Sequence, residues 1–302
     1  MLIVLALDAL DYEHVEHFGT SELELQQSRE IETFSYMKDQ PYTLEVWPTV
    51  ATGLGPSEHG LTGAGTSEWS NPVLDFLSNY TSNLGGNTRD KLGRIAESIT
   101  GSSYSIPETD AEHVFEGRGR VVHNWPGVYN SAELKRVWDT ANPDEGDQTI
   151  AGFEREIFGI AAEQFGWTRE MLNHELMLVG CHVHTLDMCG HIYRYNEDRY
   201  RHVYERVANW VAEIESRLGE DNDLLLLSDH GIHTDWDSDS TEPGRHSYRA
   251  MAATTMSKEL FDDVRDVRDW IEEAIEDQEV SYDDEGEDMD IPTEQLEDLG
   301  YI

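Results

Sequence analysis

The chain opens on an unbroken apolar run, Leu2-Ile3-Val4-Leu5-Ala6-Leu7, that stops at an aspartate, Asp8. A strand with one face in water alternates apolar and polar residues. A short run without alternation is buried on both faces, and such a strand needs helices above and below its sheet. The pattern returns at residues 175–183 and again at Leu224-Leu225-Leu226-Leu227, which runs into Ser228-Asp229-His230-Gly231. Residues 250–254 form a shorter fourth run, and Arg120-Val121-Val122-His123 is a weak strand before the turn signal Asn124-Trp125-Pro126-Gly127.

Helical spacing lies between the runs. Tyr200, Val203, Val207, Trp210, Val211 and Ile214 predict an amphipathic helix over 196–218. Gly53, Gly55 and Pro56 end a short helix or turn over 47–54. A short helix is expected at 73–77, and a charged one over 257–277 with Ser257 as its N-cap. Residues 12–40 carry no clear signal. Strands separated by helices predict an α/β fold with a mostly parallel central sheet and helices on both faces. The 302 residues divide into a single α/β domain over 1–280 and an acidic tail over 281–302. Within the domain, 61–174 reads as a loop-rich cap or substrate region. The tail ends on Leu296, Leu299, Tyr301 and Ile302, an apolar terminus able to dock back on the body.

Charge narrows the partners. The chain has 62 acidic residues against 21 Lys and Arg, a formal net charge of -41. The excess is spread from Glu13 to Asp298, so it is a solvated acidic surface rather than one tail. It opposes binding to nucleic-acid polymers and anionic lipid. It also suits a medium of high salt, where screening makes self-repulsion tolerable, as in a halophilic archaeon. Two cysteines, Cys181 and Cys189, do not make a disulfide framework and are expected to pack as small apolar residues. No run has the length of a membrane span, and the N-terminus lacks the pattern of a signal peptide. A cytoplasmic location is expected.

In an open α/β sheet, ligands bind outside the carboxyl ends of the strands. Asp8, Asp187 and Asp229 all fall just past such ends. In Asp187-Met188-Cys189-Gly190-His191 a carboxylate and an imidazole lie four apart, on one face if the segment is helical. Asp229-His230 at a strand end is costly inside a protein without partners. His246 follows in Gly244-Arg245-His246-Ser247. Taken singly, each has an ordinary reading as a cap, turn or surface residue. Taken together, carboxylates and imidazoles at strand ends have the donor types to hold divalent metal.

In chain order these residues run Asp8, Thr43, Thr52-Gly53-Leu54-Gly55-Pro56-Ser57-Glu58-His59-Gly60, Asp187 with His191, Asp229-His230-Gly231, and His246. That order resembles the alkaline phosphatase superfamily, and within it the type I phosphodiesterase/nucleotide pyrophosphatase branch. The resemblance covers residues 2 to about 252. It implies a metal-dependent hydrolase of phosphate esters acting on a small-molecule ester. Thr43 would be the nucleophile. One metal would be held by Asp187, His191 and His246, and a second by Asp8, Asp229, His230 and the Thr43 hydroxyl. Nitrogen and oxygen ligands suit Zn²⁺, with Mn²⁺ the alternative. The Asn124–Tyr129 loop is also similar to a family loop. Trp47, Trp125 and Tyr129 are candidate substrate contacts, as are Trp69 and His123.

Three departures matter. The branch usually carries an asparagine three residues after the nucleophile, where this chain has Val46. Relatives show a Pro-rich stretch ending in Trp, of which Trp47 alone is present. Glu45, beside the nucleophile, either points away or binds a further cation. Sulfatases of the superfamily need Cys or Ser in a C/S-x-P-x-R pattern, which Thr43, Glu45 and Trp47 do not match. Phosphomonoester hydrolysis, a sulfatase-like activity and a catalytically silent metal-binding relative stay as alternatives. Thr49 is the rival nucleophile, with helix capping as its plain role.

Overall fold

Alternation along the first strand sorts the core into two layers. In β1 (Leu2–Leu7), Ile3, Leu5 and Leu7 face one apolar cluster, while Leu2, Val4 and Ala6 face the other. All six are buried, which is why the run carries no polar residue. The computed structural model describes residues 1–62, 107–140, 149–238 and 242–276, with residues 291, 293 and 297. The helix expected at 73–77, Trp69, the acidic stretch 281–290 and the apolar terminus Leu296, Leu299, Tyr301 and Ile302 lie outside them.

After β1 come α1 (Tyr12–Phe18), β2 (Gln27–Ile31), α2 (Thr43–Thr52) and α3 (Pro56–His59). The next described elements are β3 (Arg120–His123), α4 (Ala132–Thr140), α5 (Ile150–Met171), β4 (Leu178–Val183), α6 (Thr185–Tyr193) and α7 (Glu197–Glu215). Then follow β5 (Asp223–Leu227), β6 (Gly231–Ile232), β7 (His246–Ser247), β8 (Ala250–Thr254) and α8 (Val267–Ile275). Six strands form one sheet in the order β2-β8-β5-β1-β4-β3. β3, β4, β1 and β5 run parallel, β8 runs antiparallel to β5, and β2 antiparallel to β8. The fold is therefore α/β with a mostly parallel sheet. One face is covered by α5, α6 and α7 through Phe153, Ile157, Phe165, Leu186, Tyr200, Val207 and Val211. The other is covered by α2 and α8 through Val46, Trp47, Val50, Val267, Trp270 and Ile271. Truncating one such side chain, Leu5→Ala for example, would cost about 2–5 kcal/mol.

Local signals explain the elements that the sequence made visible. Asn196 caps α7 by accepting from Arg199 N, and Gly53, at φ +68°, ends α2 in the left-handed region that glycine tolerates. Cys181 and Cys189 are free and buried, as apolar packing requires.

Elsewhere the structure departs from expectation. The silent stretch 12–40 holds α1, capped by Asp11, and β2, whose polar sequence suits an edge strand. The described part of 61–174 contains β3, α4 and the 22-residue α5, so that part is not loop-rich. Glycines at 152, 159 and 166 interrupt the apolar pattern of α5, but its buried face is continuous from Phe153 to Phe165. The helix expected from Ser257 starts only at Val267, after a turn capped by Asp263. Residues 258–263 are instead drawn beside β2, where Glu32 N donates to Asp262 O and Val264 N to Glu32 O. Leu260 and Phe261 are buried there, a tertiary contact that outweighs local helix preference.

Candidate metal centre

β1 lies between β5 and β4, the point where the strand order reverses direction. The carboxyl ends of these three strands meet there, which is where open α/β sheets hold ligands. Asp8 follows β1, Asp229 and His230 follow β5, and His184 follows β4. α6 begins at once after His184, so Asp187 and His191 stand one turn apart on its inner face. Gly190 makes this possible: a Cβ there would lie 2.8 Å from Tyr200 Oη and 2.9 Å from Ile232, so α6 sits tight on its neighbours. β6 and β7 pair as a small hairpin with Ile232 opposite His246. This stacks the His246 ring on His230, with centroids 3.8 Å apart. Thr43 is the first residue of α2, which has no side-chain cap at its N-terminus.

The seven ligand positions named from the sequence are gathered into two adjacent sets. In the first, Asp187 Oδ1 lies 3.3 Å from both His191 Nε2 and His246 Nε2, which lie 3.2 Å from each other. In the second, His230 Nε2 lies 3.3 Å from Asp8 Oδ1, 3.3 Å from Asp229 Oδ2 and 3.5 Å from Thr43 Oγ1. A tetrahedral ion with bonds of about 2.0–2.1 Å puts its ligand atoms about 3.3–3.4 Å apart. The observed spacing matches that edge length and exceeds the usual hydrogen bond.

Two further observations test the fit. Asp8 Oδ1, Asp187 Oδ1 and Asp229 Oδ2 are buried and have no hydrogen-bond partner among the described residues. Buried carboxylate oxygens without donors are rare unless a cation serves them. His246 Nδ1 donates to Pro41 O at 2.9 Å and His230 Nδ1 to Gly231 O at 3.0 Å. Such bonds leave the Nε2 lone pairs aimed at the carboxylates, an arrangement that holds a metal and repels without one. The residues therefore fit divalent metal.

The electrostatics agree. Burial drives the His230 pKa down to about 3, so its imidazole is neutral and ready to donate a lone pair. Burial, with the charges of Asp8 and Asp187, raises the Asp229 carboxyl well above its ordinary range. With no cation between them, His246 is raised because the Asp187 carboxylate outweighs burial.

Two residues escaped the sequence reading. His182 Nε2 lies 3.0 Å from Asp8 Oδ2 and His184 Nδ1 lies 2.6 Å from the same oxygen. His184 Nε2 lies 3.1 Å from Asp187 Oδ2. Although burial opposes charge on these groups, His184 is raised well above its ordinary value by Asp8 and Asp187. Asp8 and Asp187 are in turn held below theirs, despite burial, by the facing histidines. The available signal was the alternation His182-Val183-His184 at the end of an apolar strand.

Other candidates have plainer roles. Glu45 points away from Thr43, and its carboxylate accepts from Tyr36 N at 3.1 Å and Met37 N at 3.2 Å. Thr49 is buried inside α2, donating to Glu45 O at 2.8 Å and lying 3.1 Å from His59 Nε2. The 52–60 segment is a turn that leads into α3: Thr52 Oγ1 donates to Pro48 O and accepts from Leu54 N, and Gly53 and Gly60 both have positive φ. Trp47 and Trp125 are fully buried against each other, with Trp125 Nε1 donating to Trp47 O, so neither is free to meet a substrate. Trp47 also packs on the His182 ring, with centroids 5.3 Å apart. His123 stacks on Trp167. Tyr129 is half exposed.

The sequence model of the type I phosphodiesterase / nucleotide pyrophosphatase family matches residues 2–243. No curated protein matches the chain. Among solved structures it is similar to the alkaline phosphatase from the Antarctic bacterium TAB5, with 11% identity and a TM-score of 0.45 over 92% of this chain and 98% of that one. It is also similar to a sulfatase from Pseudoalteromonas sp., with 12% identity and a TM-score of 0.41 over 90% of this chain and 66% of that one.

Proposed function

The chain belongs to the type I phosphodiesterase / nucleotide pyrophosphatase family, and from that premise we propose that it is a two-metal phosphodiesterase with Thr43 as nucleophile. The observation that carries the reading is the spacing of the two ligand sets, with the Thr43 hydroxyl 3.5 Å from His230 at the edge of the second. Asp187, His191 and His246 would hold one ion, and Asp8, Asp229, His230 and Thr43 the other. Their nitrogen and oxygen donors favour Zn²⁺, with Mn²⁺ the rival. When bound, the ions supply Lewis-acid stabilisation of charge that develops on phosphorus, the nucleophile and the leaving oxygen.

The chain's own residues do the rest. Thr43 Oγ, its proton lost to solvent, attacks phosphorus, forming the Oγ–P bond as the bond to the leaving oxygen breaks and that oxygen takes up a proton from solvent. Water then cleaves the Oγ–P bond and frees Thr43 with a phosphate monoester as product. Thr43 sits at the positive end of the α2 dipole, which favours an anion beside it. Because Glu45 is turned toward Tyr36 and Met37, its negative charge does not face that anion. Thr49 is the weaker choice, since its hydroxyl is already engaged within α2 and lies against His59. Tyr129, half exposed, is a candidate contact for the leaving group.

Bis-p-nitrophenyl phosphate, p-nitrophenyl phosphate and p-nitrophenyl sulfate separate the diester, monoester and sulfatase readings. Diester hydrolysis is expected to dominate, and to fall by about 10⁴-fold or more in Thr43→Ala. Activity kept in Thr43→Ala and lost in Thr49→Ala would reverse the choice of nucleophile.

The net charge of -41 supports a working medium of high ionic strength, as in a halophile. The unfolding midpoint should then rise as NaCl goes from 0.1 to 1 M, where the screening length falls from about 10 to about 3 Å. A flat or falling midpoint counts against that habitat. No described helix is long and apolar enough to cross a membrane. A cytoplasmic location remains part of the proposal.

A further inference from the structure

Asp8, His182 and His184 also bring donor atoms within metal reach of one another. Their spacing differs from that of the two ligand sets. The contacts to Asp8 Oδ2 are 3.0 and 2.6 Å, within the hydrogen-bond range and shorter than the 3.2–3.3 Å edges around His191, His230 and His246. Protons, rather than an ion, hold this cluster together.

The division of oxygens is informative. Asp8 turns Oδ1 toward His230 and Oδ2 toward His182 and His184. Asp187 turns Oδ1 toward His191 and His246, and Oδ2 toward His184. Asp8 and Asp187 each keep one oxygen without a donor and give the other to the same imidazole, His184. His184 itself is anchored: it stands at the junction of β4 and α6, its side chain 5% exposed, and its carbonyl accepts from Met188 N.

We infer that His184 is a positioning residue that joins the two metal sites, by hydrogen-bonding the non-ligating oxygen of one carboxylate from each. This rests on the two-metal reading. Through it the ligands on β1 and on α6 are oriented by one rigid ring, so the two sets keep their relative placement. Partners of this kind typically change metal affinity by about 10–100-fold when removed.

The two ring nitrogens can be tested separately. In His184→Asn the side-chain amide lies where Nδ1 was and keeps a donor for Asp8. In His184→Gln the amide reaches where Nε2 was and keeps a donor for Asp187. Chelator-stripped protein is titrated with Zn²⁺ alone, and the affinities of both sites are read by competition with a chromophoric chelator. Site-removing variants, Asp229→Asn for one set and His191→Ala for the other, identify which affinity belongs to which site.

His184→Gln should weaken the Asp8 set and spare the other, His184→Asn should do the reverse, and His184→Ala should weaken both by about 10–100-fold. Wild-type affinity at both sites in all three variants overturns the inference. Equal weakening in Asn and Gln variants overturns it too, since a merely structural role would not separate them. Uptake of a third ion that His184→Ala abolishes would make His184 a ligand instead. A wild-type chain that takes up no ion sinks the two-metal reading first, and the inference with it. Melting curves of the stripped variants show whether each is folded. Should His184→Ala not fold, the Asn and Gln pair carries the test.

Discussion

Two buried clusters of acids and histidines lie side by side at the same edge of the sheet, and they are built in opposite ways. Around Arg249 every carboxylate oxygen of Asp11 and Asp237 has a donor. Asp11 Oδ2 accepts from Arg249 Nε, Ser247 Oγ and Ile232 N, and its Oδ1 from Glu13 N and His14 N. Asp237 accepts from Arg249, Thr234 N and His14 Nε2. Three residues before Asp11 lies Asp8, whose cluster has three carboxylate oxygens with no donor among the described residues and no arginine. The carboxylates of one cluster are served by protein donors alone. Those of the other keep oxygens that a cation would serve. Acids and histidines are common to both; the donors that Arg249 and its neighbours supply set them apart.

The contrast can be broken most forcefully at Arg249. Arg249→Met leaves Asp11 and Asp237 buried without their counter-charge and should cost about 3–5 kcal/mol in urea unfolding, with or without zinc. A loss below about 1 kcal/mol would mean that the closed cluster is not the structural one.

Zinc should do for the open cluster what Arg249 does for the closed one. At a hundredfold excess over Kd, it should stabilise the stripped chain by about 2.7 kcal/mol for each site filled, read from the unfolding midpoint. The gain should vanish in the pair Asp187→Asn, Asp229→Asn. A gain unchanged in that pair would locate the zinc elsewhere.

A smaller effect has opposite signs in the two clusters. Asp229 is raised above its ordinary range, so the fold favours its neutral form. That contribution is complete below pH 3.8 and is lost as pH rises through the folded value. Asp237 is held low because His14 and Arg249 overcome burial; its contribution is complete above pH 3.8 and lost as pH falls. At pH 7 and without metal, Asp229→Asn should therefore stabilise the chain, while Asp237→Asn destabilises it. Matching signs in parallel denaturation curves would erase the distinction.

The weakest effect expected is on protons. Filling the open cluster favours ionised Asp229 and unprotonated His246, so zinc binding should release protons, and more of them as pH falls. Calorimetry in buffers of different ionisation enthalpy measures this, and release of none would contradict the raised Asp229.

The sequence made some of this legible and hid the rest for physical reasons. β1, β4, β5 and α7 could be read because two-sided burial and helical spacing are local patterns. Asp8, Asp229 and His230 stood out because polar residues at the end of buried strands need partners. His182 was read as part of its strand, since its partner Asp8 is 174 positions away. The Arg249 network was equally hidden, spanning 238 positions to Asp11. Trp47 and Trp125 read as substrate contacts because Trp47 fits the family stretch that ends in Trp and Trp125 lies in a loop similar to a family loop. Their burial is decided by α2 packing on the sheet, which no local pattern reports.

Metal analysis of the chain purified without chelator tests the central claim most directly. The open cluster predicts two divalent ions per chain, mainly zinc, falling to one or none in Asp187→Asn and unchanged in surface variants such as Lys135→Ala. A folded wild-type chain with no stoichiometric metal, and none taken up on adding Zn²⁺ or Mn²⁺, would contradict it.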